Sequence, residues 1–412
     1  MRRGAALPLL AALPLLAALL LVPARVAAAG PEPGSGLVVY VMTFGPGQRV
    51  WERFGHNAIW IHDSAAGTDQ AYNYGLFDFR QKNFLLRFVR GRMWYWMAGF
   101  PAESYIRQYQ RDNRSIWIQE LDIPPRARLE LQRFLQWNEL PENRYYHYDY
   151  YLDNCSTRVR DALDRVLGGA IRRQTTPVPA GTSYRFQTQR LTTNNPLIFT
   201  GLLVALGERV DRPISAWSEM FLPMSLREHL RKVTLAGPNG AAIPLVKSER
   251  TIFESSAPPP PAAPPNWLLG YLAVGLALAV AALALARGAR GSWISGAGFI
   301  GLAAGWSLLA GLSGLVLGGL WGLTDHAMAA CNENLLQLNP LSLAMVPLLV
   351  GAVRGKAGAR VAAEWLAAGV TALGVLGLAL GLLPAFRQVN GPVIALALPA
   401  HLGLAVALRS LR

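Results

Sequence analysis

The amino-acid sequence predicts an exported α+β domain followed by an α-helical membrane domain of about five transmembrane helices. Three observations predict this fold class: an apolar N-terminal segment that begins with arginines, a mixed region of strand and helix patterns, and a set of long apolar runs behind a proline-rich segment. Only 16% of the 412 residues are charged. Soluble proteins average about 25%, which argues against a wholly water-soluble chain.

The first 29 residues have the organisation of an export signal. Arg2 and Arg3 precede an apolar stretch at 5–22, and small residues at 26–29 offer a cleavage site. We therefore predict a cleaved signal peptide over residues 1–29, with an uncleaved anchor helix as the alternative. In either case, the region that follows is expected to lie outside the cytoplasm.

Residues 30–250 are predicted to form the exported domain. β-branched and aromatic segments predict strands, while Pro124 and Asn154 precede helical patterns. The predicted elements are strands at Leu37–Phe44, Ala58–His62 and Ser115–Leu121, and helices at Pro124–Trp137 and Cys155–Leu167. Because two cysteines are too few for a disulfide scaffold, this domain is expected to be held together by its core.

Residues 251–266 are predicted to be a stiff linker, because their prolines favour an extended backbone. The membrane domain is predicted to span 267–412, where five apolar runs approach the roughly 20 residues that cross a bilayer. The runs are 267–286, 294–320, 335–353, 361–383 and 393–408. The third run has the weakest pattern because Asn339 and Pro340 interrupt it.

Basic residues are distributed as expected for a membrane protein whose first domain is exported. The loops then predicted to be cytoplasmic carry Arg287, Arg290, Arg354, Lys356, Arg360, Arg409 and Arg412, whereas the opposite loops carry only Arg387. This predicts a cytoplasmic C-terminus in a bacterial inner membrane. The net charge of +14 includes no long basic run, so we predict a membrane and not nucleic acid as its partner.

A histidine and a cysteine are the candidates for chemistry in the exported domain. His56 lies at the entry to a predicted strand, and Cys155 begins a predicted helix, where unpaired N–H groups favour a thiolate. An imidazole nearby would complete a nucleophile–base pair. Two ordinary interpretations stay open, namely that Cys155 is a buried hydrophobic residue or forms a disulfide with Cys331. No histidine spacing predicts a metal site.

Several separated motifs resemble the Lnb-type lipoprotein N-acyltransferases. Those in the exported domain are Phe54–Ala58, Tyr72–Phe79, Asp153–Asp161, Asp211, Trp217 and Phe221–Pro223. Those in the membrane domain are Thr324–His326, Asn332–Leu336 and Asn339–Leu341. The order of His56 before Cys155 is also similar to the permuted papain-like fold of the lecithin:retinol acyltransferase group. The resemblance therefore implies a permuted papain-like exported domain.

The resemblance also implies catalytic roles. Cys155 would be the nucleophile that accepts the acyl chain, and His56 would be its general base. Asn73 would orient the imidazole, with Asp69 as the second choice. The alternative for Asn73 is turn chemistry between two tyrosines.

Substrates and their binding residues are implied in the same way. A membrane phospholipid would donate the acyl chain, a lipoprotein amine would accept it, and no cofactor or metal would be needed. The residues expected to bind substrate are Tyr148, Arg158, Asp325, His326, Asn332 and Asn334. Packing, salt bridges from Arg158 and Arg160 to Asp161 or Asp164, and a plain interfacial loop are the alternatives.

Two other functions remain open from the residues. An exported cysteine peptidase or amidase that acts on cell-wall peptides would use the same Cys–His pair. A non-catalytic membrane binding module would need neither residue.

Overall fold

The computed structural model describes residues 32–411, so the predicted signal peptide at 1–29 lies outside the described residues. An α+β region built on a large sheet is followed by five apolar helical segments long enough to cross a membrane. The predicted fold class is therefore confirmed.

A seven-stranded antiparallel sheet forms the centre of the first region, with the strand order β11-β5-β1-β2-β3-β4-β6. Two pairs of short strands, β7 with β8 and β9 with β10, lie outside it. The strands are β1 Leu37–Phe44, β2 His56–Asp63, β3 Thr68–Leu76, β4 Trp94–Pro101, β5 Ile116–Leu121, β6 Tyr145–His147, β7 Pro179–Ser183, β8 Pro213–Ser215, β9 Thr234–Ala236, β10 Ala242–Pro244 and β11 Val246–Phe253. The three strands predicted from the sequence correspond to β1, β2 and β5.

Helices cover both faces of the sheet. The helices of this region are α1 Phe84–Arg90, α2 Ala102–Arg111, α3 Pro125–Glu139, α4 Cys155–Val166, α5 Ala170–Thr175, α6 Tyr184–Thr192, α7 Pro196–Ala205, α8 Ala216–Glu219 and α9 Pro223–Leu230. Side chains alternate between the faces of a strand. In β1, Val39 and Val41 face the core shared with α3, α4 and α9, whereas Met42 and Phe44 face the core shared with α2.

The predicted linker begins later than the proline pattern indicates. β11 continues to Phe253, where it still pairs with Ile116 of β5, so residues 251–253 belong to the sheet. The chain is also fastened just after the strand, because the Ser255 backbone N–H donates to Ser115 Oγ at 2.9 Å. Hydrogen bonds to β5 and to Ser115 therefore fix residues 251–255, which composition alone assigns to the linker.

Five membrane-length segments follow the linker. They are α10 Leu268–Gly288, α11 Trp293–Leu323, a broken third segment Glu333–Val353, α13 Ala357–Leu380 and α14 Gly391–Ser410, with α12 Val346–Val353 as the only α-helical part of the third. The rest of the third segment is 3-10 helix at Glu333–Leu336 and Pro340–Met345. Pro340 lacks an N–H and cannot continue a helix from the residues before it.

Small residues allow the first and last membrane helices to approach closely. A Cβ added to Gly403 of α14 would lie 2.3 Å from Ala279 Cα of α10. One added to Gly275 of α10 would lie 2.5 Å from the Leu396 carbonyl oxygen of α14. Such backbone contact is typical of helix packing in membranes, where apolar burial contributes little.

The two halves of the chain are docked against each other through α7. Phe199 and Leu203 of this helix belong to the same buried cluster as Phe299 of α11. Phe199 also packs on Trp267, with the ring centroids 4.6 Å apart. The apolar helix α7 thus extends from the α+β region into the membrane half.

Candidate active site

Cys155 lies at the N-terminus of α4, as the sequence predicts. Asn154 caps this helix, because its side chain accepts hydrogen bonds from the backbone N–H groups of Ser156 at 2.8 Å and Thr157 at 3.0 Å. Asn154 Nδ2 in turn donates to the carbonyl oxygens of Tyr150 and Phe221. The residue before the thiol is therefore fixed on both sides, which holds Cys155 in place.

The pairing between β2 and β3 stops close to Cys155. The pairing of β2 with β3 ends at Ala58 and Asn73. Gly75 then adopts a φ of 87°, and a Cβ on it would lie 3.3 Å from Cys155 Cβ. The backbone N–H of Asn57, one residue beyond the last β2–β3 pair, lowers the pKa of the Cys155 thiol. A side chain at position 75 would crowd the nucleophile and strain a left-handed backbone.

Burial decides the protonation state of the thiol. Cys155 is 8% exposed, and desolvation raises its pKa to about 11. The N–H groups of Asn57 and Ser156 and the positive charge of Arg114 lower the pKa, but by less than burial raises it. The N–H groups at the helix start thus lower the thiol pKa, as predicted, but burial raises it by more. The resting thiol is therefore protonated at neutral pH.

His56, the first residue of β2, lies between two aromatic rings. Its imidazole stacks on Phe44 and Tyr109, at centroid distances of 6.0 and 6.2 Å. Burial, followed by the positive charge of Arg114, lowers the pKa of His56 to about 4, while the hydrogen bond to Asn73 acts in the opposite direction. The imidazole is therefore neutral at pH 7 and available as a base.

Asn73 is the partner of this imidazole. Its Oδ1 lies 3.4 Å from His56 Nε2, a long hydrogen bond of the kind that shortens when substrate binds. Asp69, the second choice from the sequence, lies nearer the other end of β3. It contacts His62 Nδ1 at 3.0 Å and accepts a hydrogen bond from Trp60 Nε1 at 2.8 Å.

The structure brings Cys155 and His56 to the same end of the sheet from opposite faces. His56 packs with α2 through Tyr109, whereas Cys155 belongs to the core on the α4 side. The N–H of Asn57, the residue that follows His56, lowers the pKa of the thiol. Arg114 acts electrostatically on both groups. The thiol, the imidazole and the Asn73 amide thus lie at one end of the sheet.

Arg114 is a site residue that sequence reasoning missed. It is 5% exposed, and its Nε donates to the Gly45 carbonyl oxygen at 2.8 Å. The guanidinium lies over the Tyr109 ring, 4.6 Å from the centroid. Within residues 32–411, no hydrogen-bond partner is present for its Nη2. Arg114 follows Asp112 and Asn113, a polar turn after which an arginine is usually solvent-exposed. The local sequence therefore contains no signal that predicts its burial.

Tyr148 lies beside the thiol, where the resemblance implies a substrate-binding residue. A ring carbon of Tyr148 lies 3.5 Å from the position of a Cβ on Gly75, which itself contacts Cys155. The ring also packs on Tyr95, with centroids 4.2 Å apart. Burial, followed by the neighbouring Cys155, raises the pKa of the Tyr148 hydroxyl. Tyr148 is therefore a neutral wall of the site.

Arg158 does not have a free charge for substrate. Its Nη2 donates to Asp153 Oδ2 at 2.6 Å, its Nε donates to the same carboxylate, and its guanidinium covers the Tyr146 ring at 4.2 Å. Of the salt bridges expected for Arg158 and Arg160, the one from Arg160 to Asp161 is present. The pairing with Asp153 gives Arg158 a structural role at the first turn of α4, and its binding of substrate stays a prediction.

Asn332 and Asn334 also have structural roles. Asn332 Nδ2 donates to the carbonyl oxygens of Val204 and Ala205, and Asn334 Nδ2 donates to those of Leu203 and Val204. These carbonyls end α7, where helix acceptors lack partners. The two amides dock α7 onto the membrane half, and their predicted binding of a lipid or amine stays a prediction.

Asp325 and His326 connect the membrane half to α1. Asp325 Oδ2 accepts from Arg92 Nε at 2.6 Å, and its backbone N–H donates to the Arg90 carbonyl oxygen at 2.9 Å. His326 Nε2 lies 2.9 Å from the Phe88 carbonyl oxygen, to which it donates. Asp325 also lines an open cleft of about 650 Å³ that Tyr148 borders. Of the four predicted loop residues, Asp325 alone thus lines this cleft.

A metal site requires a cluster of side chains that can bind the ion. Throughout residues 32–411, no group of three His, Cys, Asp or Glu side chains is placed to hold a metal ion.

Comparison with known families assigns both halves of the chain. Residues 34–190 match the Lnb N-terminal periplasmic domain, and residues 272–398 match the Lnb transmembrane domain. The chain belongs to the Lnb family. A search of curated proteins returns no match, and neither does a search of solved structures.

Membership of the Lnb family agrees with the geometry of the site. The periplasmic-domain match contains His56, Asn73, Arg114 and Cys155, all of which lie at one end of the sheet. The transmembrane match contains the loop with Asp325. This Lnb-family protein therefore has a periplasmic domain that carries the Cys–His site and a membrane-spanning region docked against it.

Proposed function

We propose that this Lnb-family protein is a cysteine-dependent acyltransferase that moves an acyl chain from a membrane phospholipid to the N-terminal amine of a lipoprotein. One observation supports this most strongly. A buried thiol, a neutral imidazole and an amide lie at one end of the sheet in a periplasmic domain that is docked directly on a membrane-spanning region. Because that domain is docked on the membrane-spanning region, the ester bonds of membrane lipids are the acyl groups nearest to the thiol.

The first half-reaction transfers the acyl chain to Cys155. The sulfur attacks the ester carbonyl carbon while His56 takes the thiol proton, and a carbon–sulfur bond forms. The ester carbon–oxygen bond then breaks, and the imidazolium returns its proton to the leaving oxygen to give a lysophospholipid. Because the resting thiol holds its proton far more strongly than His56 does, proton transfer accompanies attack and does not precede it.

The second half-reaction delivers the chain to the acceptor. The neutral amine of the lipoprotein attacks the thioester, a carbon–nitrogen bond forms, and the carbon–sulfur bond breaks. His56 accepts the proton from nitrogen and returns it to the departing sulfur. The burial of Cys155 keeps bulk water from the thioester, which would otherwise be hydrolysed.

The positions of electrostatic groups support stabilisation of the charged intermediates. The Asn57 backbone N–H lowers the pKa of the thiol and so favours negative charge on the sulfur as its proton leaves. The Nη2 atom of Arg114 has no hydrogen-bond partner among the described residues, so an anionic substrate group can use it. Both groups are fixed before substrate arrives, which is the condition for efficient electrostatic stabilisation.

The membrane orientation belongs to the same proposal. Since the periplasmic domain precedes the first of five segments, the C-terminus lies in the cytoplasm of a bacterium with the segments in its inner membrane. The seven-to-one distribution of basic loop residues supports this orientation.

The test uses the full chain reconstituted in phosphatidylethanolamine and phosphatidylglycerol vesicles. We expect an acyl thioester on Cys155 and, after addition of a lipoprotein with a free amine, an N-acylated product by mass spectrometry. Cys155→Ala should abolish both signals, and Cys331→Ser, a matched control at the other cysteine, should retain both. Acylation by the Cys155→Ala protein would overturn the proposal, as would hydrolysis of cell-wall peptides by the wild type without a thioester.

A further inference from the structure

Helix α1 is held at the level of the membrane surface. The loop that binds it follows directly after α11, which ends at Leu323, and Asp325 donates its backbone N–H to the Arg90 carbonyl oxygen. Gly91, which ends the helix with a φ of 71°, packs so closely that an added Cβ would lie 3.0 Å from the His326 backbone nitrogen. A helix fixed two residues beyond a membrane span lies among lipid head groups.

The composition of α1 fits that position. Leu85 is 73% exposed, and the neighbouring apolar side chains Leu86, Phe88 and Val89 are exposed as well. The same helix carries Arg87 and Arg90 among these apolar residues. Exposed apolar side chains mixed with arginine are typical of helices that lie in the bilayer interface, where the apolar side chains enter the lipid and the cations meet phosphates.

A cleft runs from α1 toward the active site. Its volume is about 650 Å³, and Arg87, Arg90, Arg92, Trp94, Tyr148 and Asp325 are among the residues that line it. Tyr148 separates this cleft from Gly75 and Cys155. The cleft thus connects the bilayer surface with the wall of the thiol site.

Two of the arginines in the cleft have unpaired charges. Arg92 is bound to Asp325, and the other acidic side chain of the cleft, Asp149, accepts from the backbone N–H groups of Tyr151 and Leu152. Neither Arg87 nor Arg90 has a side-chain hydrogen bond or ion pair in the part of the chain that the structure describes. The cleft therefore has positive charge available for an anion.

We propose, building on the acyl transfer above, that this cleft binds the phosphodiester head group of the donor phospholipid through Arg87 and Arg90. The phosphate lies at the arginines, at the depth where phospholipid head groups are found, and the glycerol ester extends past Tyr148 toward Cys155. Guanidinium groups bind phosphate with paired, charge-assisted hydrogen bonds. The site thus selects glycerophospholipids over neutral lipids that carry the same acyl chains.

The test measures binding without chemistry. The full-length Cys155→Ala protein in detergent is titrated with dioctanoyl phosphatidylglycerol or dioctanoylglycerol, which share acyl chains and differ in the phosphate-bearing head group. Bound lipid is quantified by native mass spectrometry. We expect the phospholipid to bind about tenfold more tightly, as one or two charge-assisted hydrogen bonds would provide.

The variant R87Q/R90Q in the same background should lose this preference and bind both lipids equally. Its retained binding of dioctanoylglycerol shows that the fold is intact. The matched control is R126Q/R133Q, which removes two exposed arginines of α3 that do not line the cleft and should keep the full preference. A preference that survives in R87Q/R90Q overturns the proposal.

A third ligand separates lipid phosphate from free anion. Inorganic phosphate at millimolar concentration should leave the bound phospholipid in place, because it lacks the chains that the membrane-facing cleft also holds. Displacement by phosphate alone would assign the cleft to a soluble anion and overturn the lipid assignment. Because every arm uses Cys155→Ala, loss of the head-group preference is distinguishable from failure of the acyl transfer in the wild type.

Discussion

At the scale of single residues, the unusual feature is a pair in which both members are neutral at rest. Desolvation raises the pKa of Cys155 to about 11 and lowers that of His56 to about 4. A thiolate–imidazolium pair, which many cysteine enzymes use, is thus disfavoured before substrate binds. Such a site reacts slowly with adventitious electrophiles, and the substrate itself completes the activation.

Alkylation of Cys155 should report this protonation state. In Cys331→Ser protein, the rate of reaction with iodoacetamide should rise about tenfold per pH unit and level off only near pH 11, because only the thiolate reacts. The exposed Cys331 in Cys155→Ala protein is the comparison for reagent behaviour. A plateau that begins below pH 8 would show that the ion pair exists at rest.

We propose that Asn73 positions His56, so that its substitution should change a pH profile as well as a rate. Asn73→Ala should slow thioester formation about tenfold, the effect of one lost hydrogen bond. Asn73→Asp keeps the acceptor and adds a negative charge that raises the pKa of His56. In Asn73→Asp, the loss of activity at low pH should therefore occur at a higher pH than in the wild type. An unchanged pH profile would contradict the contact between Asn73 Oδ1 and His56 Nε2 at 3.4 Å.

Arg114 should influence both reacting groups through its charge. Its guanidinium lowers the pKa of Cys155 and of His56, so Arg114→Leu should raise both. We expect slower alkylation of Cys155 at pH 9 and an acid limb of thioester formation at higher pH. Arg114→Lys keeps the charge and should restore much of both properties. Equal pH profiles in the Leu variant and the wild type would contradict this role.

At the scale of elements, the N-terminus of α4 connects stability with the site. Asn154 accepts two helix N–H groups and donates to two carbonyl oxygens while almost completely buried. Asn154→Ala should lower the free energy of unfolding by about 1–2 kcal/mol, visible as a lower thermal transition. Asn154→Ser, which still caps, should lose less. Equal transitions for the two variants would show that the cap is dispensable.

The sequence predicts elements well where the pattern is local. β1, β2 and β5 follow from β-branched and aromatic runs, and the start of α4 follows from the capping ability of Asn154. His56 and Cys155 are found because both flank such elements. The broken third membrane segment is also anticipated, since Asn339–Pro340 interrupts the apolar run in the sequence itself.

What the sequence could not predict depends on tertiary contacts. Arg114 becomes a site residue only because α2 places Tyr109 beneath it. The amides of Asn332 and Asn334 look like ligands for substrate, yet they cap a helix more than a hundred residues earlier in the chain. Arg160 makes the predicted pair with Asp161, whereas Arg158 pairs with Asp153, five residues before it. Burial and long-range pairing decide each of these cases.

At the scale of the whole molecule, the orientation in the membrane can be tested by labelling one native and one introduced cysteine. In Cys155→Ala protein, the exposed Cys331 lies in the loop that contacts the periplasmic domain, so a membrane-impermeant maleimide should label it in intact spheroplasts. A C155A/C331S/S410C protein should be labelled only after permeabilisation. Labelling of S410C from outside would contradict the proposed cytoplasmic C-terminus.

Helix α7 makes the completion of the periplasmic half depend on the last part of the chain. Gln388, three residues before the final membrane helix, donates to the Leu206 carbonyl oxygen and to Asn332 Oδ1. During synthesis, the carbonyl at the end of α7 therefore obtains this partner only after nearly two hundred further residues have been added. Until the membrane half is made, Phe199 and Leu203 also lack the apolar side chains of that half that pack against them. We therefore expect docking on the membrane half to complete the fold of the domain that carries the thiol.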